Sequence, residues 1–376
     1  MWLKITDFHD VDDFKVTVDQ YEISFDDVRG IEIHWNINEI YTLGYITWID
    51  SIKMIEHKPV RPGEFIEMYW QDGQKETFKQ TFVITDIEEI RTEKEQTIGT
   101  IRFIDKNSFN FLKTFHSKGF DNGDMKEIVD FFINKYKQDK EVENKLSDKK
   151  WGNEEDADKM THIIPQDRPL LNSLYKLMLD GDFMIYQTRD KLIVCDWKDI
   201  TSKGPLDHKL VLQPDNINYI GKIGDIKSKL AEAIATNIIM PDTTTLKIKH
   251  YEGKKLIQKD LDYKKAIEES GKLGATDIKW VEGNGTKALS YSTNTSEAFM
   301  NSFKKYVNEA LCLEVVVPGW NKRNIGEVLD IMLETGDINV DIDKNMSGKW
   351  LIIGIVDKIS QGYFVQKITL ARSVQK

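Results

Sequence analysis

Apolar and polar residues alternate along the first third of the chain. In "FKVTVDQYEISF", "VRGIEIHWNI", "GYITWIDSIKMIE", "GEFIEMYWQDG", "QTFVITDIEEI" and "TIGTIRFIDK" the apolar positions recur at about every second residue, the period of a half-buried strand. Turn-forming Asp, Asn, Gly and Pro separate these runs, so a barrel or sandwich is expected. The period then changes. In "GDMKEIVDFFINKYKQD", Met125, Ile128, Val129, Phe132, Ile133 and Tyr136 fall on one helical face, with Asp121 or Asn122 available as N-cap. A boundary near Lys113 follows. "PQDRPLLNSLYKLMLDGDFMIYQTRDKLIVCDW" predicts a helix on Leu170, Leu171, Leu174, Leu177 and Met178, stopped at Gly181, then a hairpin. The β pattern returns from Asp207 in "HKLVLQPDNINYIGKIGDI". A further helix is predicted in "SEAFMNSFKKYVNEALCLE", capped by Ser296 or Thr295, with Phe299, Phe303, Tyr306, Val307, Ala310 and Leu311 on one stripe. It leads into "SGKWLIIGIVDKISQGYFVQKITLARS", two strands joined by a Gly-containing turn.

This last sheet resembles a segment of the first domain. "GEFIEMYW" (Gly63 to Trp70) aligns with "GEVLDIML" (Gly326 to Leu333), "TFVITDIEEI" (Thr81 to Ile90) with "WLIIGIVDKI" (Trp350 to Ile359), and "TIRFID" (Thr100 to Asp105) with "KITLAR" (Lys367 to Arg372). The expected fold is therefore α+β and mainly β, with two similar antiparallel β-barrel domains and an inserted α+β region. The first β domain spans residues 1–113. The insertion takes 114–204 and 238–310, and the second β domain is assembled from 205–237 and 311–376.

Composition narrows the function classes. A chain of 376 residues is long for one core, and 40% hydrophobic with 30% charged residues is a globular balance. No window holds the apolar run of a membrane span, so no membrane insertion is expected. The start "MWLKITDFHDVDDF" lacks an apolar export segment, so folding in a cytoplasm is expected. Cys195 and Cys312 both lie in apolar runs and read as buried thiols rather than a disulfide framework. A net charge of -10 disfavours gripping nucleic acid through its phosphates. It is compatible with DNA passing an acidic wall that repels it.

Motifs of catalysis are absent from the sequence. "GNGTKALS" (Gly283 to Ser290) has the wrong spacing for a phosphate loop, and the histidines are scattered singly, His34 beside Trp35 among them. "DINVDIDKNMSG" places Asp337, Asn339, Asp341 and Asp343 at alternate positions like a calcium loop. It has Ile342 where the loop needs Gly and Gly348 where it needs Glu, so an acidic hairpin loop is preferred. The mixed charges of Lys137 to Lys159 read as a solvated face, as do Glu88, Glu89, Glu154 and Glu155. No cofactor, metal or catalytic residue is expected. "PGWNKRN" offers Trp320 and Arg323 as interface anchors, since hot spots favour Trp and Arg; a turn with Trp320 packed on its own barrel is the other reading. Trp350 is a third interface candidate, facing either its own core or a neighbouring subunit.

The order of elements resembles the central baseplate hub protein of T-even-type contractile-tailed bacteriophages, which is similar to the hub portion of type VI secretion spike proteins. The resemblance runs through "VRGIEIHWNINEIYTLGYITWIDS", "FKQTFVITDIEEI", "TIRFIDKNSFNFLKTFHSKGF", "PLLNSLYKLMLDGDFMIYQTRDKLIVCDW" and "SFKKYVNEALCLEVVVPGWNKRNIGEVLDIML". It implies a non-enzymatic virion protein of the tail baseplate, assembled in the bacterial host as a homotrimer with a pseudo-sixfold ring of tube domains. Its implied partners are the tail tube or tube-initiator protein, baseplate wedge proteins, DNA in transit, and a separate spike protein that can carry a muramidase domain. A baseplate-associated cell-wall hydrolase and a tube-terminator or adhesin are the alternatives. The hydrolase needs a raised-pKa acid and a second carboxylate across a cleft.

Overall fold

The computed structural model describes residues 2–4, 9–19, 21–50, 60–91, 97–113, 115–136, 140–146, 159–164, 169–181, 183–196, 199–200, 203–212, 217–221, 246–252, 255–261, 311–333 and 347–372. The predicted helix over 296–310, Glu154 and Glu155, Gly283 to Ser290, and most of the Asp337 to Gly348 loop and of Lys137 to Lys159 lie outside the described residues.

The first β region comprises β1 (Trp2–Lys4), β2 (His9–Asp10), β3 (Asp12–Val18), β4 (Tyr21–Ile23), β5 (Val28–Asn36), β6 (Leu43–Ile49), β7 (Phe65–Gln71), β8 (Thr77–Arg91) and β9 (Thr97–Asp105). Helix α1 (Lys106–Lys113) follows directly, then β10 (Lys118–Asp124), α2 (Met125–Tyr136), β11 (Glu141–Asn144), β12 (Lys159–Ile164), α3 (Leu170–Gly181), β13 (Phe183–Gln187) and β14 (Lys191–Asp196). The remaining strands are β15 (Pro205–Leu212), β16 (Ile217–Gly221), β17 (Leu246–Glu252), β18 (Lys255–Leu261), β19 (Leu311–Pro318), β20 (Val328–Leu333), β21 (Gly348–Ser360) and β22 (Tyr363–Arg372). The fold is α+β and mainly β, as the alternation predicts. Two local expectations shift: Asp121 and Asn122 lie in β10 rather than capping α2, and Leu311 opens β19.

The internal repeat is a repeat of backbone geometry. Five strands run in the spatial order β5-β6-β9-β8-β7, and five more in the order β16-β19-β22-β21-β20. At the entry to β7 and to β20 stands a glycine with positive φ, Gly63 at 98° and Gly326 at 76°, a conformation that residues with a Cβ rarely adopt. Each donates its amide to the long strand alongside, Gly63 to the Ile84 carbonyl (2.7 Å) and Gly326 to the Ile352 carbonyl (2.8 Å). Return bonds run from Ile84 to Glu64 (2.8 Å) and from Ile352 to Glu327 (2.9 Å). A register shift follows at once in both copies, between Ile84 and Asp86 and between Ile352 and Gly354. Ile84 is thus equivalent to Ile352, one residue off the sequence alignment, which paired it with Ile353. In two apolar runs a one-residue slip changes little in the letters, although it turns every side chain to the opposite face.

The copies differ at their edges. Strand β3 runs antiparallel to β7, whereas β15 runs parallel to β20. Strands β1 and β2, which the sequence reading placed in the first domain, pair instead with β15 and β22. The two copies join where β5 lies antiparallel to the second half of β21, from Ile31 opposite Ile359 to Asn36 opposite Gly354. One apolar core fills both copies and includes Trp35, Trp48, Trp70, Phe82, Phe103, Trp350 and Phe364. A second core, with Phe111, Ile128, Phe132, Leu170, Leu174 and Leu177, packs the inserted helices.

The β13–β14 hairpin separates the two cores. Met184, Tyr186, Ile193 and Cys195 face the first, and Phe183, Ile185, Leu192 and Val194 face the second. Successive strand residues point to opposite faces, so a hairpin buried on both sides must be apolar at nearly every position. That is why "FMIYQ" and "LIVC" show no alternation.

Candidate functional site: a buried junction

Three segments meet at one buried carboxylate. On β21 the apolar phase runs Ile353, Ile355, Asp357, Ile359, and on β22 it runs Phe364, Gln366, Ile368, Leu370. Asp357 and Gln366 are cross-strand partners, and both point inward. Asp357 Oδ2 accepts from Trp35 Nε1 of β5 (2.8 Å), and its Oδ1 accepts from Gln366 Nε2 (2.7 Å). From the β13–β14 turn Arg189 reaches in, its Nη2 donating to both carboxylate oxygens at 2.7 Å. The first β copy, the second copy and the insertion each supply a ligand to this one charge.

The network continues beneath the loop after β19. Arg189 Nη1 donates to the Arg323 carbonyl, and Arg323 Nη1 donates to Gln366 Oε1 and to the Pro318 carbonyl. Gln366 also clasps the Trp320 backbone, receiving its amide (3.2 Å) and donating to its carbonyl (3.1 Å). The far side of the loop is tied to the β7–β8 turn: the Asn321 amide donates to Asp72 Oδ2 and its side chain to the Glu76 carbonyl, both at 2.7 Å. Gln80 Nε2 donates to the Arg189 carbonyl (2.6 Å), and Lys140 Nζ to the Thr188 carbonyl (2.9 Å).

Burial governs the electrostatics. It pushes Arg323 down to about 10, with the Arg189 cation adding to the shift, which leaves Arg323 charged at neutral pH. Burial also pushes Lys140 down to about 8, against the pull of Asp105 and Asp190. Glu327 is raised by burial, and the Cys195 thiol is pushed up to about 12. Both cysteines are buried thiols, as their apolar settings predict.

The chemistry available is adhesion. A carboxylate that accepts from an indole, an amide and one guanidinium nitrogen shared by both its oxygens is held by charge-assisted bonds and has its lone pairs engaged. Such a pair carries a large desolvation penalty, offset only while every partner stays in place. It therefore fixes three segments in one arrangement. Among the described residues no group of His, Cys, Asp and Glu is placed to hold a metal.

Of the interface candidates, Trp350 is fully buried, with the Arg372 guanidinium 4.2 Å from its ring centroid. It faces the chain's own core. Arg323 is 4% exposed and belongs to the junction, while Trp320 is half-buried with the Arg323 guanidinium 5.7 Å from its ring. Sequence reasoning missed Arg189, Asp357 and Gln366. The signal lay in two polar residues on the apolar phase of neighbouring strands, where a core position is expected.

No protein-family model matches the chain, and no curated protein sequence matches it. Solved structures share its fold. One is the 43 kDa tail protein of prophage MuSo2 from Shewanella oneidensis, similar over 96% of this chain and 97% of that one, with a TM-score of 0.58 and 12% identity. Another is a tail protein from Neisseria meningitidis, covering 97% of each chain with a TM-score of 0.59 and 10% identity. A third is the E. coli c3393 protein, a component of the type VI secretion system with structural similarity to the T4 bacteriophage tail proteins gp27 and gp5. There the match covers 95% of this chain and 76% of the other, with a TM-score of 0.51 and 9% identity. The chain has the fold of phage tail proteins, which the secretion component shares.

Proposed function

We propose that this protein is the structural hub of a contractile phage tail baseplate. Three copies form a ring of β units with pseudo-sixfold symmetry, which joins a hexameric tail tube to a threefold cell-puncturing spike and continues the lumen through which DNA passes. The observation that carries this reading is the duplicated five-strand unit. Two equivalent units per chain let a threefold assembly present a near-sixfold face, which resolves the symmetry mismatch between tube and spike. The net charge of -10 is in keeping with a lumen that does not hold DNA.

In this role the protein performs no chemistry. Strand pairing and the Arg189–Asp357 junction keep the units rigid under the load of contraction, and the surroundings supply the force. Its partners are further copies of itself, a tube or tube-initiator protein, baseplate wedge proteins and a separate spike protein. Half-buried Trp320 is the remaining interface anchor on the described surface, and the site of action is the virion tail.

Multi-angle light scattering of the purified protein, alone and mixed with the spike protein encoded by the same phage genome, tests the reading. A mass of three chains, alone or with the spike, supports it. A monomer in both mixtures that also fails to bind the spike overturns it.

A further inference from the structure

The pairing that joins the two β units inside the chain is a template for joining chains. Within the chain, unit one offers the outer edge of β5 and unit two offers the second half of β21. The equivalent surfaces in the other combination, the second half of β8 and the outer edge of β16, have no strand beside them among the described residues. Strand β7 covers β8 only from Thr77 to Val83, while β9 covers its other edge to Arg91. Thr85, Asp86 and Glu88 are exposed and Ile87 is half-buried, whereas at the equivalent places Ile353 and Ile355 are buried and Gly354 and Val356 are half-buried. A long half-strand with an open row of amides and carbonyls invites pairing, and soluble proteins rarely leave one uncovered.

We infer that the second half of β8 in one chain pairs, antiparallel, with β16 of a second copy of the same chain. This deepens the proposed hub, and it rests on that reading. The two open edges differ from each other, so the contact is heterologous and repeats head to tail until a ring closes. The internal template also fixes the register. The cross-strand partners make Asp86 to Arg91 equivalent to Gly354 to Ile359, and Glu32, Ile33 and His34 equivalent to Tyr219, Ile220 and Gly221. Within the chain Val356 faces His34, Asp357 faces Ile33 and Lys358 faces Glu32. Between chains, Glu88 therefore faces Gly221, Glu89 faces Ile220 and Ile90 faces Tyr219.

Cysteine crosslinking reads this register directly, because Cα atoms of directly opposed strand residues lie within disulfide reach. The full chain carrying Glu88→Cys and Gly221→Cys is oxidised in its assembled fraction and compared with Glu88→Cys plus Ile220→Cys, whose side chains point to opposite faces. Covalent dimers and trimers, several-fold more abundant than for the off-register pair and ending at three chains, are expected. Mixing the two single variants should give dimers alone. Amide exchange on the unsubstituted protein is the second measurement: residues 86–91 should be protected in the trimer and exchange fast in the monomer. A trimer by mass with unprotected β8 amides, and crosslinking no better than off-register, overturns the strand pairing and leaves the hub reading standing. Failure to form any trimer, with or without the spike protein, overturns both.

Discussion

Strands β8 and β21 occupy the same place in two copies of one unit, and their second halves differ in cover. In β21 the half beyond the register shift is covered by β5 and buries a carboxylate; in β8 no strand among the described residues covers the same edge of the corresponding half, and Thr85, Asp86 and Glu88 are exposed. Shared backbone geometry does not impose shared burial. What decides it is whether the neighbouring unit is supplied by the same chain, and the residues follow: Asp357 is tolerated inside because Trp35, Gln366 and Arg189 converge on it.

Substitutions test this contrast. Asp357→Asn leaves Arg189 buried without its counter-charge and should lower unfolding stability by about 3–5 kcal/mol in urea titration. Asp86→Asn, at the place equivalent to Gly354 on the open half-strand, should change stability by less than about 0.5 kcal/mol. Equal losses would mean that the two half-strands are buried alike.

The paired glycines come next. Each is left-handed, so Gly63→Ala and Gly326→Ala should each cost about 1–2 kcal/mol of backbone strain. Around Gly63 there is open space, whereas a methyl on Gly326 would run into the Tyr186 phenol of the insertion. An added loss of about 1–3 kcal/mol is expected at Gly326 alone, read as a lower urea midpoint.

A pH titration sharpens the contrast further. The Lys140 ammonium, 5.4 Å from the Trp35 ring, is pushed by burial from 10.5 to about 8. Between these values the unfolded chain holds the extra proton, so this group makes stability rise with pH across that window. Lys140→Met should remove the rise, seen as a difference from the parent protein that shrinks from pH 8 toward 10.5. The smallest effect is expected for Glu32→Gln, which breaks the partly exposed Glu32–Lys358 pair (2.7 Å) across the β5–β21 seam. It should cost less than about 1 kcal/mol. Burial raises the Glu32 carboxyl, and its bonds to Lys358 and Tyr45 outweigh that and hold it below 4.5. The pair's contribution should therefore fade as pH falls through the acid range below 4.5.

Much of the fold was legible because strand alternation and helical stripes are local. The runs around Ile31 to Trp35, Ile128 to Phe132 and Leu170 to Leu177 announce their elements without tertiary help. The duplication was legible too, since the left-handed turn favours glycine at both places and Gly63 and Gly326 align in the sequence. What escaped was long-range. The pairing of β1 with β15 and of β2 with β22 leaves no mark on periodicity, and the Ile84–Ile352 equivalence is blurred by neighbouring aliphatic residues. The junction was half legible. Asp357 and Gln366 break an apolar phase that can be read from the letters, but Arg189 sits in an ordinary hairpin turn, and nothing local says where its guanidinium goes.

The two-faced hairpin has a mechanical corollary. Because β13 and β14 are shared walls, tugging the inserted helices away strips cover from the β body in the same movement, and neither side can loosen first. Pulled at its ends in an optical trap, such a chain would be expected to rupture in one large step rather than a sequence of small ones. In the proposed hub, abrupt failure at high force would be safer than gradual yielding at low force.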